Sequence, residues 1–226
     1  MPFCPECGYE MRPDAKFCLR CGYRLTAAET AAASGPVNAS GTGLSAGDTQ
    51  VDSVAAGKEY LEKSSALFRD YFEKVTGRFS TEAEFSILLG AFCLKNAHAN
   101  LSSILNLGKN HYHYFIRYDQ NAVGKDLIDF SKSCLEDVWS MPHHGALGLN
   151  TFAVPLLCQD TVSPDLLSSL TPGLLKKTSF SFSAVSYPVI LELSTGKLSY
   201  PSTPLYGAAV YTSLKKAVGD TLYYIR

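Results

Sequence analysis

Seven cysteines are the residues of this chain with the clearest capacity for chemistry, and four of them form two pairs near the N-terminus. Two residues separate Cys4 from Cys7, two separate Cys18 from Cys21, and ten lie between the pairs. A Cys-x-x-Cys turn places two thiolates on one side of a tight loop, and two such turns complete the four-sulfur shell of a tetrahedral zinc ion. The spacing therefore predicts one zinc ion bound by Cys4, Cys7, Cys18 and Cys21.

The residues around these cysteines support a structural metal. Gly8 and Gly22 each follow the second cysteine of a pair, where a residue without a Cβ can take positive φ and turn backbone N–H groups toward the sulfurs. So small a unit cannot hold a hydrophobic core alone, so the metal must supply folding energy. Four protein ligands leave no open position for water, which argues against a catalytic zinc. The large apolar side chains available as cover are Phe3, Tyr9, Phe17 and Tyr23.

Two other uses of the four cysteines stay open. A redox-active thiol pair would be expected in a βαβ setting, which the sequence around these residues does not show. Iron in a rubredoxin-like site is the second alternative, because four thiolates also suit iron. Structural zinc is the interpretation that the spacing, the paired glycines and the aromatic residues favour together.

Residues 1–25 resemble the short zinc-ribbon domain found at the N-termini of many bacterial and archaeal proteins. The shared pattern is Phe-Cys-Pro-x-Cys-Gly at 3–8, Asp-Ala-Lys-Phe at 14–17 and Cys-x-x-Cys-Gly at 18–22, with Leu19 where the family often has proline. The resemblance implies a zinc-binding fold. It implies no particular activity, because such ribbons serve as protein or nucleic-acid contact modules on unrelated proteins.

Charge favours a protein partner over nucleic acid. The whole chain has a formal net charge of −1, with 20 basic and 21 acidic residues. The ribbon with zinc and four thiolates also carries about one negative charge, whereas phosphate binding usually needs a basic surface. Nucleic acid stays possible but is not favoured. The charged side chains of the ribbon are Arg12, Lys16, Arg20, Arg24, Glu6, Glu10 and Asp14.

Composition divides the chain into three predicted parts. The zinc ribbon spans 1–25. Residues 26–56 are mostly Ala, Ser, Gly and Thr, which bury too little surface to offset their ordering entropy, so we predict a flexible linker. Residues 57–226 carry the aromatic and aliphatic residues of a domain of unrecognised family.

The compartment predicted from the sequence is the cytoplasm. The longest nearly uninterrupted apolar run, 85–94, has about half of the roughly 20 residues that a membrane-spanning helix needs. A cysteine pair occupies the N-terminus where a signal peptide would need an apolar core. A reducing cytosol also suits cysteines that act as metal ligands. We therefore expect a cytoplasmic protein with no membrane partner.

Hydrophobic periodicity predicts helices and strands that interleave along residues 57–226. The expected class is α+β, with a mixed or antiparallel sheet. The predicted helices are a stripe from Tyr60 to Val75, a segment from Ser80 to about Asn96, a stripe from Val123 to Val138, a short helix at 164–170 and one starting at Thr203-Pro204. The predicted strands are 111–118, 151–158, a hairpin of 189–193 with 198–200, and a closing strand at 221–225.

Histidines give the domain its own candidate site. His111 and His113 fall on one side of the predicted strand, together with Phe115 and Arg117. With the pair His143-His144 they could supply ligands for a second metal ion. The alternatives are a stacking platform for single-stranded nucleic acid or an ordinary half-covered strand face, and whether these histidines form a site stays open.

The sequence gives little support for a catalytic cysteine or for a known catalytic motif. Cys93, Cys134 and Cys158 sit among apolar residues, where a thiol commonly packs as a small hydrophobic group, and a nucleophile would need a histidine partner. Phosphate-binding glycine loops and His-Glu-x-x-His are absent, and the spacing of Glu192 and Lys197 differs from that of metal-dependent nucleases. The string Gly-x-Ser-x-Gly occurs at 43–47, but it lies in the predicted linker and does not follow a predicted strand, as a nucleophile elbow would. The sequence therefore leaves the question of an enzyme undecided and leans against one.

These observations favour a zinc-binding adaptor whose ribbon contacts a protein partner. The alternative is an enzyme or ligand sensor of unrecognised family with its site in residues 57–226. Thirteen tyrosines and twelve phenylalanines also make a homo-oligomer conceivable, although aromatic residues can equally fill a core.

Overall fold

A computed structural model describes residues 46–79, 81–99, 109–141, 150–170, 175–178, 183–201 and 208–223. The chain divides into two units, and the fold described below is that of the larger, 53–140 with 148–226. The four predicted zinc ligands and His143-His144 lie outside the described residues.

The larger unit has the predicted α+β class, and its sheet is mixed, with eight strands in the described residues. The helices are α1 Ala46–Lys63, of which residues 53–63 belong to the larger unit, α2 Ala66–Thr76, α3 Gly124–Ser140, α4 Pro164–Ser168 and α5 Ala208–Leu222. The strands are β1 Glu84–Ser86, β2 Ala91–Ala99, β3 Lys109–Tyr118, β4 Asn150–Gln159, β5 Lys176–Thr178, β6 Ser183–Ser186, β7 Val189–Glu192 and β8 Lys197–Ser199.

The centre of the sheet is parallel and its margins are antiparallel. The strand order is β1-β2-β3-β4-β6-β5, with β7 also on β4 and β8 on β7. β4 runs parallel to β3, β6 and β7, whereas β1, β2 and β3 form an antiparallel series. Helix α3 makes the crossover from β3 to β4 that a parallel pair requires. The antiparallel pair β7 and β8 confirms the predicted hairpin.

Strands β6 and β7 pair with consecutive parts of the same side of β4. They keep the same register on β4, with Ala153 opposite Ser186 and Leu156 opposite Val189. The break falls at Tyr187 and Pro188, and Pro188 has no N–H to donate to a ladder. The Tyr187 N–H still donates to the carbonyl oxygen of Ala153 at 2.7 Å, so the chain stays in register across the break.

Helices cover both faces of the sheet. Alternate residues of the central strands pack with α1, α2 and α5 in one large cluster that includes Tyr114, Val154 and Leu191. The opposite face meets α3 and α4 in a smaller cluster that includes Leu157 and Ile190. Because both faces are buried, the central strand β4 is apolar on both sides, as parallel strands commonly are.

Helix α2 confirms much of the first predicted helical stripe. Ser65 caps its N-terminus by accepting a hydrogen bond from the Phe68 N–H, and Phe68, Tyr71 and Val75 are buried. Helix α1 begins at Ala46, so residues 46–56, which the sequence analysis assigns to a flexible linker, are helical. Exposed side chains predominate between residues 52 and 56, which explains why the sequence pattern does not indicate a packed helix there.

The helix predicted from Ser80 to Asn96 is wrong, because this segment forms β1, a turn and β2. Gly90 has φ +56°, a left-handed conformation that closes the turn, and its N–H donates to the carbonyl oxygen of Ser86 at 2.8 Å. Pairing of β2 with β3 outweighs the helical preference of the apolar run. The turn leaves Ile87 and Leu88 53% and 97% exposed.

The closing strand predicted at 221–225 is also wrong where the structure describes it. Helix α5 continues to Leu222, and Leu214, Val218 and Leu222 are buried at intervals of four residues. This helical spacing places all three side chains on the core, which outweighs the strand preference of Thr221, Tyr223 and Tyr224.

Candidate functional site

The two histidines of β3 share a face, as the sequence predicts. His113 is 7% exposed and His111 is half-buried, while Tyr112 and Tyr114 point into the main core cluster on the other face. The residues opposite the histidines on β2 and β4 are alanine, lysine and threonine, none of which is a usual zinc ligand. The strand therefore presents two imidazoles without a third ligand from its immediate neighbours.

A second metal site is not completed by the residues that the structure describes. No group of three histidine, cysteine, aspartate or glutamate side chains within them could hold a metal ion. His143 and His144, which would have to supply the remaining ligands, lie outside the described ranges. A metal site that includes them stays a prediction.

Polar side chains collect where the parallel strands β3 and β4 end, at the edge where open α/β sheets commonly bind ligands. Arg117 Nη2 lies 2.8 Å from Asp119 Oδ2, and the guanidinium stacks 5.6 Å from the centre of the Phe130 ring. Gln159 is 2% exposed, and its amide nitrogen donates to the carbonyl oxygens of Asp119 at 2.9 Å and Ala122 at 3.0 Å. These bonds fix the loop that leads into α3.

Asp160 forms the second half of this cluster. Its Oδ1 accepts from Ser65 Oγ at 2.7 Å, its Oδ2 accepts from the Tyr118 hydroxyl at 3.3 Å, and its N–H donates to Gln120 Oε1 at 2.7 Å. The Tyr60 hydroxyl donates to the Tyr118 carbonyl oxygen at 2.5 Å and accepts from the Tyr118 N–H at 2.7 Å. Burial raises the pKa of Tyr60 and Tyr118 further above the ordinary tyrosine value, which already leaves the hydroxyl protonated at neutral pH.

The polar cluster at the ends of β3 and β4 therefore has a structural role. Its carboxylates already accept hydrogen bonds from protein donors, which leaves less capacity for a substrate. It joins the residues around α1 and α2 to the ends of β3 and β4. Motif and periodicity did not indicate Asp119, Gln159 or Asp160. Each stands at or just after the end of a buried strand, and that position was the available signal in the sequence.

The three cysteines of this unit pack as apolar groups. Cys134 and Cys158 are buried, and burial raises the pKa of both thiols well above the ordinary value. Burial, helped by the nearby charges of Asp137 and Glu84, raises the pKa of Cys93 to about 12. A catalytic cysteine needs the opposite shift, toward the thiolate. These thiols therefore remain protonated at neutral pH.

Thiol labelling should separate these cysteines from the predicted zinc ligands. In native protein stripped of metal by a chelator, iodoacetamide at pH 7.5 should modify Cys4, Cys7, Cys18 and Cys21. It should spare the three thiols of the larger unit, whose pKa is raised, because the thiolate is the reactive species. Intact mass should then show about four adducts, rising to about seven under denaturant, given seven cysteines.

The control is Cys93→Ser, which should lower the denatured count by one and leave the native count unchanged. Fast native modification of Cys93, Cys134 or Cys158 would contradict the assignment and point to a reactive thiol in the larger unit.

An open groove of about 530 Å³ lies between α2 and the segment that leads into β1. Its apolar lining includes Phe72, Phe79 and Phe92, and the rings of Phe72 and Phe92 are 4.2 Å apart. Glu73 and Glu82 also line the groove, and both are exposed. The groove was not predictable from the sequence pattern, which indicated the start of a helix in the segment before β1.

Comparison with known proteins identifies one part of the chain. Residues 3–25 match the family model of a zinc-ribbon domain, a span that contains Cys4, Cys7, Cys18 and Cys21. The match confirms the resemblance and indicates that the chain binds zinc; it covers about a tenth of the length. No curated protein and no solved structure matches the chain. Within the described ranges, no helix is long and apolar enough to cross a membrane.

Proposed function

We propose that this zinc-binding chain acts by binding, as a cytoplasmic adaptor whose ribbon contacts another protein. The observation that carries the proposal is the zinc-ribbon match at 3–25, because closed four-cysteine ribbons supply a rigid contact surface and no open metal position. In the proposed site Cys4, Cys7, Cys18 and Cys21 hold one structural zinc ion. Tyr9 and Tyr23 follow the paired cysteines by two residues and are the proposed anchors of the interface.

Features of the larger unit support binding over catalysis. Its three thiols are held protonated by burial, and the carboxylates of Asp119 and Asp160 are engaged by protein donors. The thiols are therefore unsuited to act as nucleophiles, and the carboxylates are unsuited to act as general bases. The second candidate function is an enzyme or ligand sensor centred on His111 and His113, and the shared face of these two side chains is the observation that favours it.

Photo-crosslinking and nucleic-acid titration together test the adaptor proposal. p-Benzoylphenylalanine at Tyr9 or Tyr23 should crosslink the zinc-loaded chain to a defined protein in its native cells, and Cys7→Ser should abolish the product. The same substitution at Tyr223, which is 55% exposed at the end of α5, is the matched control and should give no such product. A labelled random DNA or RNA 20-mer should bind at about 10⁻⁴ M or weaker at physiological salt, the weak end of non-specific binding.

Micromolar nucleic-acid binding with a steep salt dependence, lost when Arg12, Arg20 and Arg24 are replaced by alanine, would contradict the protein-adaptor proposal. Crosslinks that survive Cys7→Ser would show that the folded ribbon is not the contact surface.

A further inference from the structure

At the edge of the sheet formed by β1, exposed glutamate side chains lie beside the apolar lining of the groove described above. Glu73 and Glu82 line the groove, and Glu84 is the first residue of β1. All three side chains are exposed, and none forms an ion pair with any residue that the structure describes. The floor of the groove is formed mainly by Phe72, Phe79, Ala83 and Phe92.

The cations close in sequence to Glu73 are engaged elsewhere. Lys74 pairs with Asp70 at 2.9 Å, and Arg78 Nη1 donates to the carbonyl oxygen of Thr221 at 3.2 Å. Among the residues that the structure describes, no lysine or arginine lines the groove. The groove therefore presents negative charge above aromatic surface, and a complementary ligand would carry cationic and apolar side chains together.

β1 adds a backbone edge to this surface. Within the described residues β1 pairs with β2 alone, so its outer side has no strand beside it there. An edge strand offers unpaired N–H and C=O groups to an added strand. β1 leads directly into the turn where Ile87 and Leu88 are exposed. Ile87 follows Glu84 by three residues, which at about 3.3 Å per residue is at most about 10 Å. A partner segment of four or five extended residues would span about 10–13 Å and so would reach from Glu84 to this turn.

We propose that β1 and the adjoining groove bind an extended basic and apolar segment of a partner protein. Its lysine or arginine side chains meet Glu73, Glu82 and Glu84, an aromatic or aliphatic side chain enters the groove beside Phe79 and Phe92, and its backbone pairs along β1. The exposed Ile87 and Leu88 contact the far end of the segment. This surface belongs to the larger unit and is separate from the ribbon interface proposed above.

A peptide titration of the full zinc-loaded chain tests this surface. The probe is the acetylated, amidated peptide Lys-Phe-Lys-Phe-Lys, followed by ¹⁵N–¹H chemical shifts. We expect saturable shifts centred on the backbone amides of Phe79, Ala83 and Phe92, weakened when ionic strength rises because exposed charges are screened. Peptides with glutamate in place of lysine, or serine in place of phenylalanine, should bind at least about tenfold more weakly, as expected when one class of contact is lost.

Two exposed glutamates provide matched variants. Glu82→Lys should weaken binding of the probe about tenfold or more, whereas Glu62→Lys, the same charge change on α1 away from the groove, should have little effect. Leu88→Ser should weaken binding without unfolding the protein, because this side chain is 97% exposed. Cys7→Ser should leave probe binding unchanged, which separates failure of this surface from failure of the ribbon proposal.

Two kinds of outcome would overturn the proposal. Absence of shifts at the groove, or equal effects of Glu82→Lys and Glu62→Lys, would show that the peptide does not use this surface. Shifts at β1 that depend on protein concentration without peptide, together with a doubled mass by light scattering, would identify a second copy of this chain as the occupant instead.

Discussion

Cys7→Ser is expected to reduce bound zinc from about one ion per chain to a small fraction of that, and to unfold residues 1–25. Serine is a poor zinc ligand, and three thiolates cannot close the tetrahedral shell. The effect should be large because zinc binding supplies the folding free energy of such units, about 10–16 kcal/mol in zinc-finger peptides at neutral pH. Elemental analysis of protein purified without added metal gives the stoichiometry directly.

The same variant should leave the larger unit folded, since the small residues predicted to connect it to the ribbon bury little apolar surface. Its thermal midpoint should shift by less than about 2 °C, a change of under roughly 1 kcal/mol for a domain of this size. Cys93→Ser is the matched control and should keep full zinc. Iron in place of zinc, or full zinc in Cys7→Ser, would contradict the four-thiolate assignment.

Gly124→Ala is expected to destabilise the larger unit by about 1–3 kcal/mol, the usual range for overpacking. A Cβ on Gly124 would lie 1.8 Å from Ser169 Oγ and 2.8 Å from Ser169 Cβ. Ser169 ends helix α4, and its hydroxyl donates to the Asp165 carbonyl oxygen at 3.1 Å. Because the start of α3 meets the end of α4 so closely, the two helices must separate to admit one methyl group.

A second substitution makes this prediction specific. Gly124→Ala with Ser169→Gly should recover most of the lost stability, because the second change removes both atoms that the methyl group meets. Gly77→Ala is the control: its nearest atoms would lie 3.5 Å away, and its backbone is helical, so stability should be unchanged or slightly raised. Chemical denaturation measures all four proteins, and failure of the double variant to recover would place the strain elsewhere.

The zinc ribbon could be predicted because its determinants are local. Cys4 and Cys7 form one Cys-x-x-Cys pair and Cys18 and Cys21 form another, so the type and spacing of the predicted ligands can be read from a few consecutive residues. The family match at 3–25 agrees with this inference. Elements with strong periodicity were predictable for the same reason, including β3, helix α3 and the β7–β8 hairpin.

The segment from Ser80 to Asn96 could not be predicted in this way. Its apolar run suits a buried helix or a pair of strands equally well, and periodicity does not separate them. Pairing of β2 with β3 decides the outcome, and it depends on residues that lie some twenty positions further along the chain. The acidic groove was missed for the same reason, since it exists only where α2 meets the margin of that sheet.

The sequence by itself determined a zinc-binding module, an α+β class and the face that His111 and His113 share. Tertiary structure alone decided that the sheet has a parallel centre around β4 and that Asp119, Gln159 and Asp160 meet at its edge. It also decided that the thiols of Cys93, Cys134 and Cys158 are held in their protonated form. Local spacing fixes ligand sets and periodicity, whereas burial and pairing arise between segments far apart in sequence, so they follow only from how the whole unit packs.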